Sequence, residues 1–281
     1  MQQCRQVTKE PASLPPARYN RLLGRARGAL GALRAAACAV LLCQCSCVQV
    51  HPQRLSWGRF HDVRIYQPPD SVQQVALLLS GDGGWTSALG EIAQGLTGTG
   101  TLLAGIDVRD LLAGYRRDTA GCVSPGADLA QLLGYLRQRY RIGRAAAVLI
   151  GHSAGATLAY VALAQSAPGT FAGALTLSFC VDLDLAKPSL CPASALRYRP
   201  RSGGVRLLPA PALPSPWVAL HGLDDAVCPA SEARAFVADT PGAQFVPLPG
   251  VTHDYRHSQR WWARFAAAYA RLAVTRAAPE K

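Results

Sequence analysis

The chain has 281 residues, of which 49% are hydrophobic, and a formal net charge of +12 at pH 7; it can bury the core of one large α/β domain. The first fifty residues hold seven Lys/Arg and one acidic residue, so the other 231, with 22 basic and 16 acidic side chains, are only mildly basic. Their arginines are scattered and come with no RNP-like aromatic motif, zinc-finger spacing or basic helix, which argues against a nucleic-acid-binding protein.

Residues 1–47 have the pattern of an export signal. Arginines precede the apolar run AAACAVLLC, which is too short to span a bilayer but suits the apolar region of a signal peptide. We therefore expect a periplasmic protein in which residues 48–281 form a single domain. A lipoprotein is the alternative, because LLCQCSC offers cysteines; none follows the usual Leu-small-small pattern, so we favour cleavage to a soluble protein.

From residue 59 onward, apolar runs alternate with segments of helical periodicity. The predicted strands are FHDVRIYQ, VALLLS, TLLAGIDV, AAAVLIG, FAGALTLSF, PWVALHG and AQFVPLP, and the predicted helices span residues 85–98, 126–140, 154–166, 231–239 and 257–274. Because most of these strands are almost continuously apolar, they predict a buried, mostly parallel, doubly wound α/β sheet. Residues 183–215 lack periodicity and are expected to form an irregular, lid-like excursion over the edge where α/β ligand sites lie.

The glycine-rich sequence SGDGGW follows the strand VALLLS. Gly81 allows close backbone approach, and we predict that the N–H of Asp82 stabilises a negatively charged oxygen. The Asp82 side chain is also a candidate cap for the helix that begins near Trp85, and the two roles are compatible. Trp85 is a candidate for lining the substrate pocket, with packing against the following helix as the alternative. No G-x-G-x-x-G or Walker sequence is present, so a phosphate-bearing cofactor is not expected.

The sequence GHSAG at residues 151–155 fits G-x-S-x-G between a strand and a helix, the context of the nucleophile elbow of α/β-hydrolases. Its glycines permit the tight turn and leave the serine hydroxyl exposed above the sheet. We predict Ser153 as the nucleophile, the N–H of Ala154 as the first oxyanion donor, and His152 as a substrate-site residue flanking the serine. For the pentapeptide alone, a structural glycine-rich turn is the alternative.

A serine nucleophile needs a base and an acid that orients it, and in this fold they follow in the order Ser, Asp, His. We favour Asp225 over Asp224 as the acid, because adjacent side chains point apart and only one can meet the histidine. We favour His253 as the base over His257, which borders the last helix, and over the histidine inside the elbow. The predicted catalytic residues are Ser153, Asp225 and His253, with no metal or organic cofactor required.

Four widely spaced cysteines lie within the predicted domain. In an exported protein, Cys180 and Cys191, which a short loop separates, are predicted to form a disulfide. Cys122 and Cys228 then pair with each other or stay free. Four buried thiols are the alternative.

Several segments together resemble the AcvB/VirJ virulence-protein domain over about residues 60–275. They are LLLSGDGGW at 77–85, GID at 105–107, LIGHSAGA at 149–156, the cysteine-containing segment 180–191, and GVTHDY at 250–255. SGDGGW is the most distinctive of them, and where the family's elbow commonly reads G-Y-S, this chain has G-H-S. The resemblance implies a periplasmic serine hydrolase; some members are linked to hydrolysis of the aminoacyl ester of lysyl-phosphatidylglycerol, and others to type IV secretion.

The resemblance also draws attention to four arginines of the excursion, Arg197, Arg199, Arg201 and Arg206. Bidentate hydrogen bonds from them would suit the phosphate of an anionic lipid, with a solvated basic loop as the alternative. We therefore predict an exported serine esterase, with an aminoacylated phospholipid as candidate substrate and a membrane surface as candidate contact. The alternatives are a generic carboxylesterase or acyl-peptidase, and a non-catalytic binding module of a type IV secretion or envelope complex. The ordered Ser, Asp and His argue against the last.

Overall fold

The computed structural model describes residues 51–185 and 189–273, so the predicted signal at 1–47 lies outside the described residues. The strands in these ranges are β1 (Gln53–Trp57), β2 (Phe60–Tyr66), β3 (Gln74–Leu79), β4 (Thr101–Ile106), β5 (Cys122–Val123), β6 (Ala147–His152), β7 (Phe171–Leu177), β8 (Asp182–Leu183), β9 (Ser189–Leu190), β10 (Arg197–Arg201), β11 (Gly204–Leu208), β12 (Trp217–Gly222) and β13 (Ala243–Leu248). The helices are α1 (Ser87–Thr97), α2 (Val108–Arg117), α3 (Pro125–Tyr140), α4 (Ala154–Gln165), α5 (Ala230–Ala238) and α6 (Trp262–Ala273).

Eight strands form one sheet in the order β1-β2-β4-β3-β6-β7-β12-β13. The pairs β1–β2 and β2–β4 are antiparallel, and the other neighbouring pairs are parallel. The predicted mostly parallel, doubly wound α/β sheet is therefore confirmed. Because parallel strands end at the same edge of the sheet, the residues that follow β3, β6, β7, β12 and β13 are brought close together.

Helices cover both faces of the sheet, which explains why its central strands are apolar throughout. Successive side chains of a strand point to opposite faces. In β3, Leu77 and Leu79 belong to the core cluster that contains buried residues of α2, α3, α4 and α5. Ala76 and Leu78 belong to the second cluster, with buried residues of α1 and α6. A strand buried on both faces needs apolar residues at every position. A half-exposed strand would instead alternate apolar and polar residues.

The helix α2 was not expected from the sequence. The predicted strand TLLAGIDV continued to Val108, whereas β4 ends at Ile106 and α2 begins at Val108. Asp107 ends the strand because its carboxylate accepts a hydrogen bond from the N–H of Arg109 at 3.1 Å and so caps the helix. The helix then buries one side, comprising Val108, Leu111, Leu112 and Tyr115.

Residues 183–215 contain more regular structure than was predicted. β10, β11 and β8 form a small antiparallel sheet in that order. The hairpin turns through Ser202 and Gly203, since Arg201 pairs with Gly204, and Gly203 has a φ of +77°. Glycine adopts such a positive φ without strain, which suits it to this turn. The prediction of an irregular segment is therefore wrong for 197–208.

The cysteines pair differently from the prediction. Disulfides join Cys122 to Cys191 and Cys180 to Cys228, so the predicted Cys180–Cys191 bond is wrong. The parallel pairing of β5 with β9 brings Cys122 and Cys191 to a Cα–Cα distance of 4.8 Å. Cys180 instead lies at the end of β7, opposite the loop after the neighbouring strand β12 that carries Cys228. Strand pairing, rather than closeness in sequence, therefore selects the partners.

Candidate active site

Ser153 lies at the point where β6 ends and α4 begins. Its backbone has φ 55° and ψ −123°, a conformation that non-glycine residues rarely adopt. A side chain at Gly151 would clash with the backbone of Gly155, and one at Gly155 would clash with the backbone of Ser80. The two glycines of the motif are thus required by the close approach of strand and helix, and the turn they allow holds the serine at the edge of the sheet.

The structure brings together the three residues predicted to be catalytic. The Nε2 atom of His253 is 3.0 Å from Ser153 Oγ, and its Nδ1 atom is 3.0 Å from each carboxylate oxygen of Asp225. With Nδ1 protonated towards the carboxylate, Nε2 is free to accept the serine proton. This is the geometry in which a base activates a hydroxyl and an acid fixes the tautomer of the base.

Asp225 is buried and surrounded by hydrogen-bond donors. Burial opposes its ionisation, but hydrogen bonds from His253, the hydroxyl of Ser178 and the N–H of Cys228 outweigh that effect and lower the pKa of Asp225 to about 2. The N–H of Val227 donates to the same carboxylate at 2.9 Å. The carboxylate is therefore ionised at neutral pH and can stabilise a protonated His253.

The glycine-rich turn after β3 lies against the nucleophile. A Cβ atom at Gly81 would be 3.2 Å from Ser153 Cβ, and the turn closes through a 3.0 Å hydrogen bond from Gly84 N–H to the Gly81 carbonyl. Asp82 and Ala154 line the same cavity as Ser153, and neither of their N–H groups donates a hydrogen bond to another described residue. Both N–H groups are therefore free to donate at this cavity, and their role as oxyanion donors stays a prediction. The Asp82 side chain does not cap α1, since Thr86 does so.

The cavity beside Ser153 has a volume of about 390 Å³ and a charged lining. Its ionisable side chains are Asp82, Asp182, Asp184, Glu232, Arg116 and Arg201. Asp182 and Asp184 pair with Arg201, and Arg206 pairs with Asp182 and Glu232. Most of the charged wall is therefore neutralised internally, whereas Asp82 has no ion-pair partner among the described residues.

Of the residues predicted to contact substrate, Gly81, Trp85, Arg197 and Arg199 are not among those that line this cavity. Trp85 stacks on Tyr66 and fills the space that the missing side chain of Gly105 leaves on β4. Arg197 and Arg199 are exposed on β10 and are not among the residues that line this cavity. The packing of Trp85 favours the structural alternative for that residue, and the substrate contacts of the two arginines stay predictions.

His152 is also directed away from the cavity. Its ring is buried, and its Nε2 atom is 2.7 Å from the backbone carbonyl oxygen of His253. Burial lowers the pKa of His152, which keeps the ring neutral. The residue contacts the loop that carries His253 and is not among the residues that line this cavity, so its substrate contact stays a prediction.

Sequence reasoning missed several residues of the site. Ser178, which donates to Asp225, follows β7, and its position after a central parallel strand was the available signal. Arg116 lies on the unpredicted α2, and its guanidinium donates to the Asp184 carbonyl at 2.9 Å.

Within the described ranges, no group of three or more His, Cys, Asp or Glu side chains has a metal-binding arrangement. None of the helices described combines the length and hydropathy that a membrane span requires.

Comparison with known proteins identifies the family segment and the fold. Residues 73–171 match the model of the bacterial virulence protein (VirJ) family, which confirms the predicted resemblance over that segment. No curated protein matches the chain.

Among solved structures, Est1E from Butyrivibrio proteoclasticus is similar with a TM-score of 0.55 at 12% identity, covering 80% of this chain and 100% of that chain. Butyrate-bound Est2, a thermophilic esterase from Thermogutta terrifontis, gives 0.54 at 16% identity over 84% of this chain and 98% of its own. Esterase 2 from the same organism, phosphorylated by paraoxon, gives 0.55 at 16% identity over 84% and 97%. The fold is that of the α/β-hydrolases, as predicted.

Proposed function

We propose that this protein is a serine hydrolase that cleaves an ester bond, with Ser153 as nucleophile, His253 as general base and acid, and Asp225 as the orienting acid. The observation that carries the proposal is the continuous chain of hydrogen bonds, each 3.0 Å long, from Ser153 through both ring nitrogens of His253 to Asp225. The nucleophile elbow around Ser153 and the N–H groups of Ala154 and Asp82 at the same cavity support it.

In the first half of the reaction, Ser153 Oγ attacks the ester carbonyl while His253 Nε2 takes the hydroxyl proton. The oxygen of the tetrahedral intermediate accepts hydrogen bonds from the N–H groups of Ala154 and Asp82. The ionised Asp225 stabilises the protonated His253. As the intermediate collapses, His253 returns its proton to the leaving alcohol, and the acyl group stays on Ser153 as an ester.

In the second half, His253 takes a proton from water, which attacks the acyl ester at the same carbonyl carbon. The same two N–H groups stabilise the second tetrahedral intermediate. His253 then protonates Ser153 Oγ, and the carboxylic acid leaves. Each half of the reaction uses the same proton-carrying atom, so the protein's own side chains are sufficient for a complete cycle.

The candidate substrate is the aminoacyl ester of an aminoacylated phospholipid such as lysyl-phosphatidylglycerol. Such an ester carries an ammonium group next to the carbonyl, and a carboxylate in the cavity suits it. Asp82 is the cavity carboxylate without an ion-pair partner among the described residues, and it lies beside Ser153. The match of residues 73–171 to the VirJ family supports the same choice. A generic carboxylesterase or acyl-peptidase is the alternative within the same chemistry.

The substrate is tested by comparing hydrolysis of lysyl-phosphatidylglycerol in vesicles with hydrolysis of neutral p-nitrophenyl butyrate. Asp82→Asn keeps the backbone N–H and removes the charge. We expect it to lower kcat/KM for the lysyl ester about tenfold, the value of one charge-assisted hydrogen bond, and to leave the neutral ester unaffected. Equal loss on both esters, or no cleavage of the lysyl ester by the wild type, would favour the generic carboxylesterase.

We further propose that the protein acts in the periplasm. The arginines and apolar run of residues 1–47 support export, and the two disulfides suit an oxidising compartment. Fractionation of expressing cells, followed by N-terminal sequencing of the periplasmic product, tests this. A product that stays in the cytosol and begins at Met1 would contradict it.

The proposed chemistry is tested by labelling the folded protein with a fluorophosphonate probe, which reacts with activated serines. We expect labelling of the wild type and none of Ser153→Ala or His253→Ala, each shown to be folded by circular dichroism. A folded wild type that does not react would favour the non-catalytic binding module. A pull-down from envelope extracts would then seek a secretion or envelope partner.

A further inference from the structure

The residue before the nucleophile contacts the residue that activates it. His152 ends β6, its ring is 8% exposed, and its Nε2 atom lies 2.7 Å from the backbone carbonyl oxygen of His253. A carbonyl oxygen only accepts hydrogen bonds, so His152 must carry its proton on Nε2. Its Nδ1 atom is then a bare acceptor, and it is buried without a partner among the described residues.

The surroundings of Nδ1 explain why that atom stays unpaired. A Cβ atom at Gly81 would lie 3.3 Å from it, so the oxyanion turn covers this side of the ring. On the side of the His253 loop, the ring centroid of His152 is 5.1 Å from that of His253 and 5.7 Å from that of Tyr255, which it meets edge-on. The ring thus fills the space between the turn after β3 and the loop after β13. An unsatisfied buried nitrogen is costly, and its retention needs an explanation.

Hydrogen bonds tie the His253 loop to the rest of the fold on either side of His253, from Asp224 N–H to the Val251 carbonyl and from Trp261 Nε1 to the Tyr255 carbonyl. The loop lies outside helices and strands, and Tyr255 and His257 have positive φ values of 52° and 61°. Tyr255 anchors the far end of the loop, since its hydroxyl donates to the Leu220 carbonyl and accepts from the Ser178 N–H. At His253 itself, the side chain is held by Ser153 and Asp225, and the backbone is held by His152.

We propose that His152 is a positioning residue: its Nε2–H fixes the peptide of His253, so that the imidazole of His253 stays aligned between Ser153 and Asp225. Because His152 and Ser153 are consecutive, the nucleophile and the anchor of its base belong to one rigid strand end. The distance between Ser153 and His253 is then set locally, although 100 residues separate them. This inference rests on the proposed serine hydrolase function and extends it to a residue outside the cavity.

Two substitutions separate the hydrogen bond from the packing of the ring. His152→Phe keeps the ring and loses the donor, whereas His152→Gln keeps a donor near the Nε2 position. A misaligned base costs up to about 100-fold in rate, so we expect His152→Phe to lower kcat and the fluorophosphonate reaction rate about 10- to 100-fold with little change in KM. His152→Gln should recover to within about threefold of the wild type.

Tyr269→Phe is the matched control for losing one buried hydrogen bond. The Tyr269 hydroxyl bonds to Thr101, at the start of β4 and away from the cavity. We expect this variant to lose thermal stability to a similar extent while its rates remain those of the wild type. Equal rates in the wild type and His152→Phe, or equal losses in the Phe and Gln variants, would overturn the positioning role.

A second readout does not depend on catalysis. The proton between His253 Nδ1 and Asp225 gives a downfield NMR signal when the imidazole is held in line with the carboxylate. We expect that signal in the wild type, in His152→Gln and in Tyr269→Phe, and its loss in folded His152→Phe. Its persistence in His152→Phe would overturn the inference even if the wild type proves unreactive, in which case the proposed hydrolase function fails separately.

Discussion

Removing the two disulfides one at a time separates global stability from the organisation of the site. The sequence separation is 69 between Cys122 and Cys191 and 48 between Cys180 and Cys228. The chain-entropy model gives about 4 kcal/mol of stabilisation for each loop, so both double Ala variants should lose a similar free energy of unfolding. Only the second bond reaches the site, because the Cys228 N–H donates to Asp225 at 2.9 Å and Cys180 lines the cavity.

The assay compares urea unfolding with esterase kinetics under non-reducing conditions. We expect the Cys122→Ala/Cys191→Ala variant to keep kcat within about twofold, and the Cys180→Ala/Cys228→Ala variant to lose about tenfold as the Asp225 loop loosens. Peptide mapping verifies the pairing first, after cleavage before Asp182 and Asp184, which separates Cys180 from Cys191. A peptide joining those two cysteines, or equal kinetic effects in the two variants, would refute the reasoning.

Three further substitutions test the site. Asp225→Asn should lower kcat about 10⁴-fold, as expected when the base loses its orienting acid, and a kcat within tenfold of the wild type would exclude Asp225 from the triad. The pKa of Asp225 is lowered from 3.8 to about 2, so its ionisation contributes about 2 kcal/mol to the stability of the wild type above about pH 4. That contribution is lost as the pH falls towards 2, and Asp225→Asn should lack it at every pH. Urea midpoints measured across that pH range test this. Gly81→Ala should lower the free energy of unfolding by about 1 kcal/mol and reduce kcat/KM, because the new methyl group lies 3.2 Å from Ser153 Cβ. A variant with unchanged stability and kinetics would show that the turn can shift without cost. Burial lowers the pKa of both His152 and His221, so below about pH 6.5 the unfolded chain binds more protons than the folded chain. The free energy of unfolding should therefore decrease as the pH falls below that value. In a pH series of urea midpoints, this decrease should be smaller for His221→Phe than for the wild type.

The sequence was most informative where parallel strands end. Ser153, Asp225 and His253 each follow a strand of the central sheet, and Gly81 follows another. Strands of this kind are recognisable as apolar runs, and their carboxyl ends must meet at one edge. That only one of Asp224 and Asp225 can point into the site was also predictable, because adjacent side chains point apart, and the structure places Asp225 against His253.

Long-range pairing could not be predicted in the same way. The partner of Cys191 depends on the register of β5 with β9, two-residue strands with no pattern of their own. Trp85 was assigned to the cavity because it follows the glycine turn, but Gly105 on a neighbouring strand leaves the space that the indole fills. Each of these contacts depends on a residue that is distant in the sequence. The residues next to Cys191 or Trp85 in the chain therefore do not predict it.

The charges around the site show why a basic chain can present an acidic residue to its substrate. Arg201 and Arg206 were candidates for binding a phosphate, with a solvated basic loop as the alternative, and they pair with Asp182, Asp184 and Glu232. A guanidinium already bonded to carboxylates has few donors left for a ligand. Asp82, by contrast, is exposed and lines the same cavity as Ser153. The selectivity that we propose therefore depends on the turn after β3, where the N–H of Asp82 would stabilise the oxyanion and its carboxylate would bind the ammonium group.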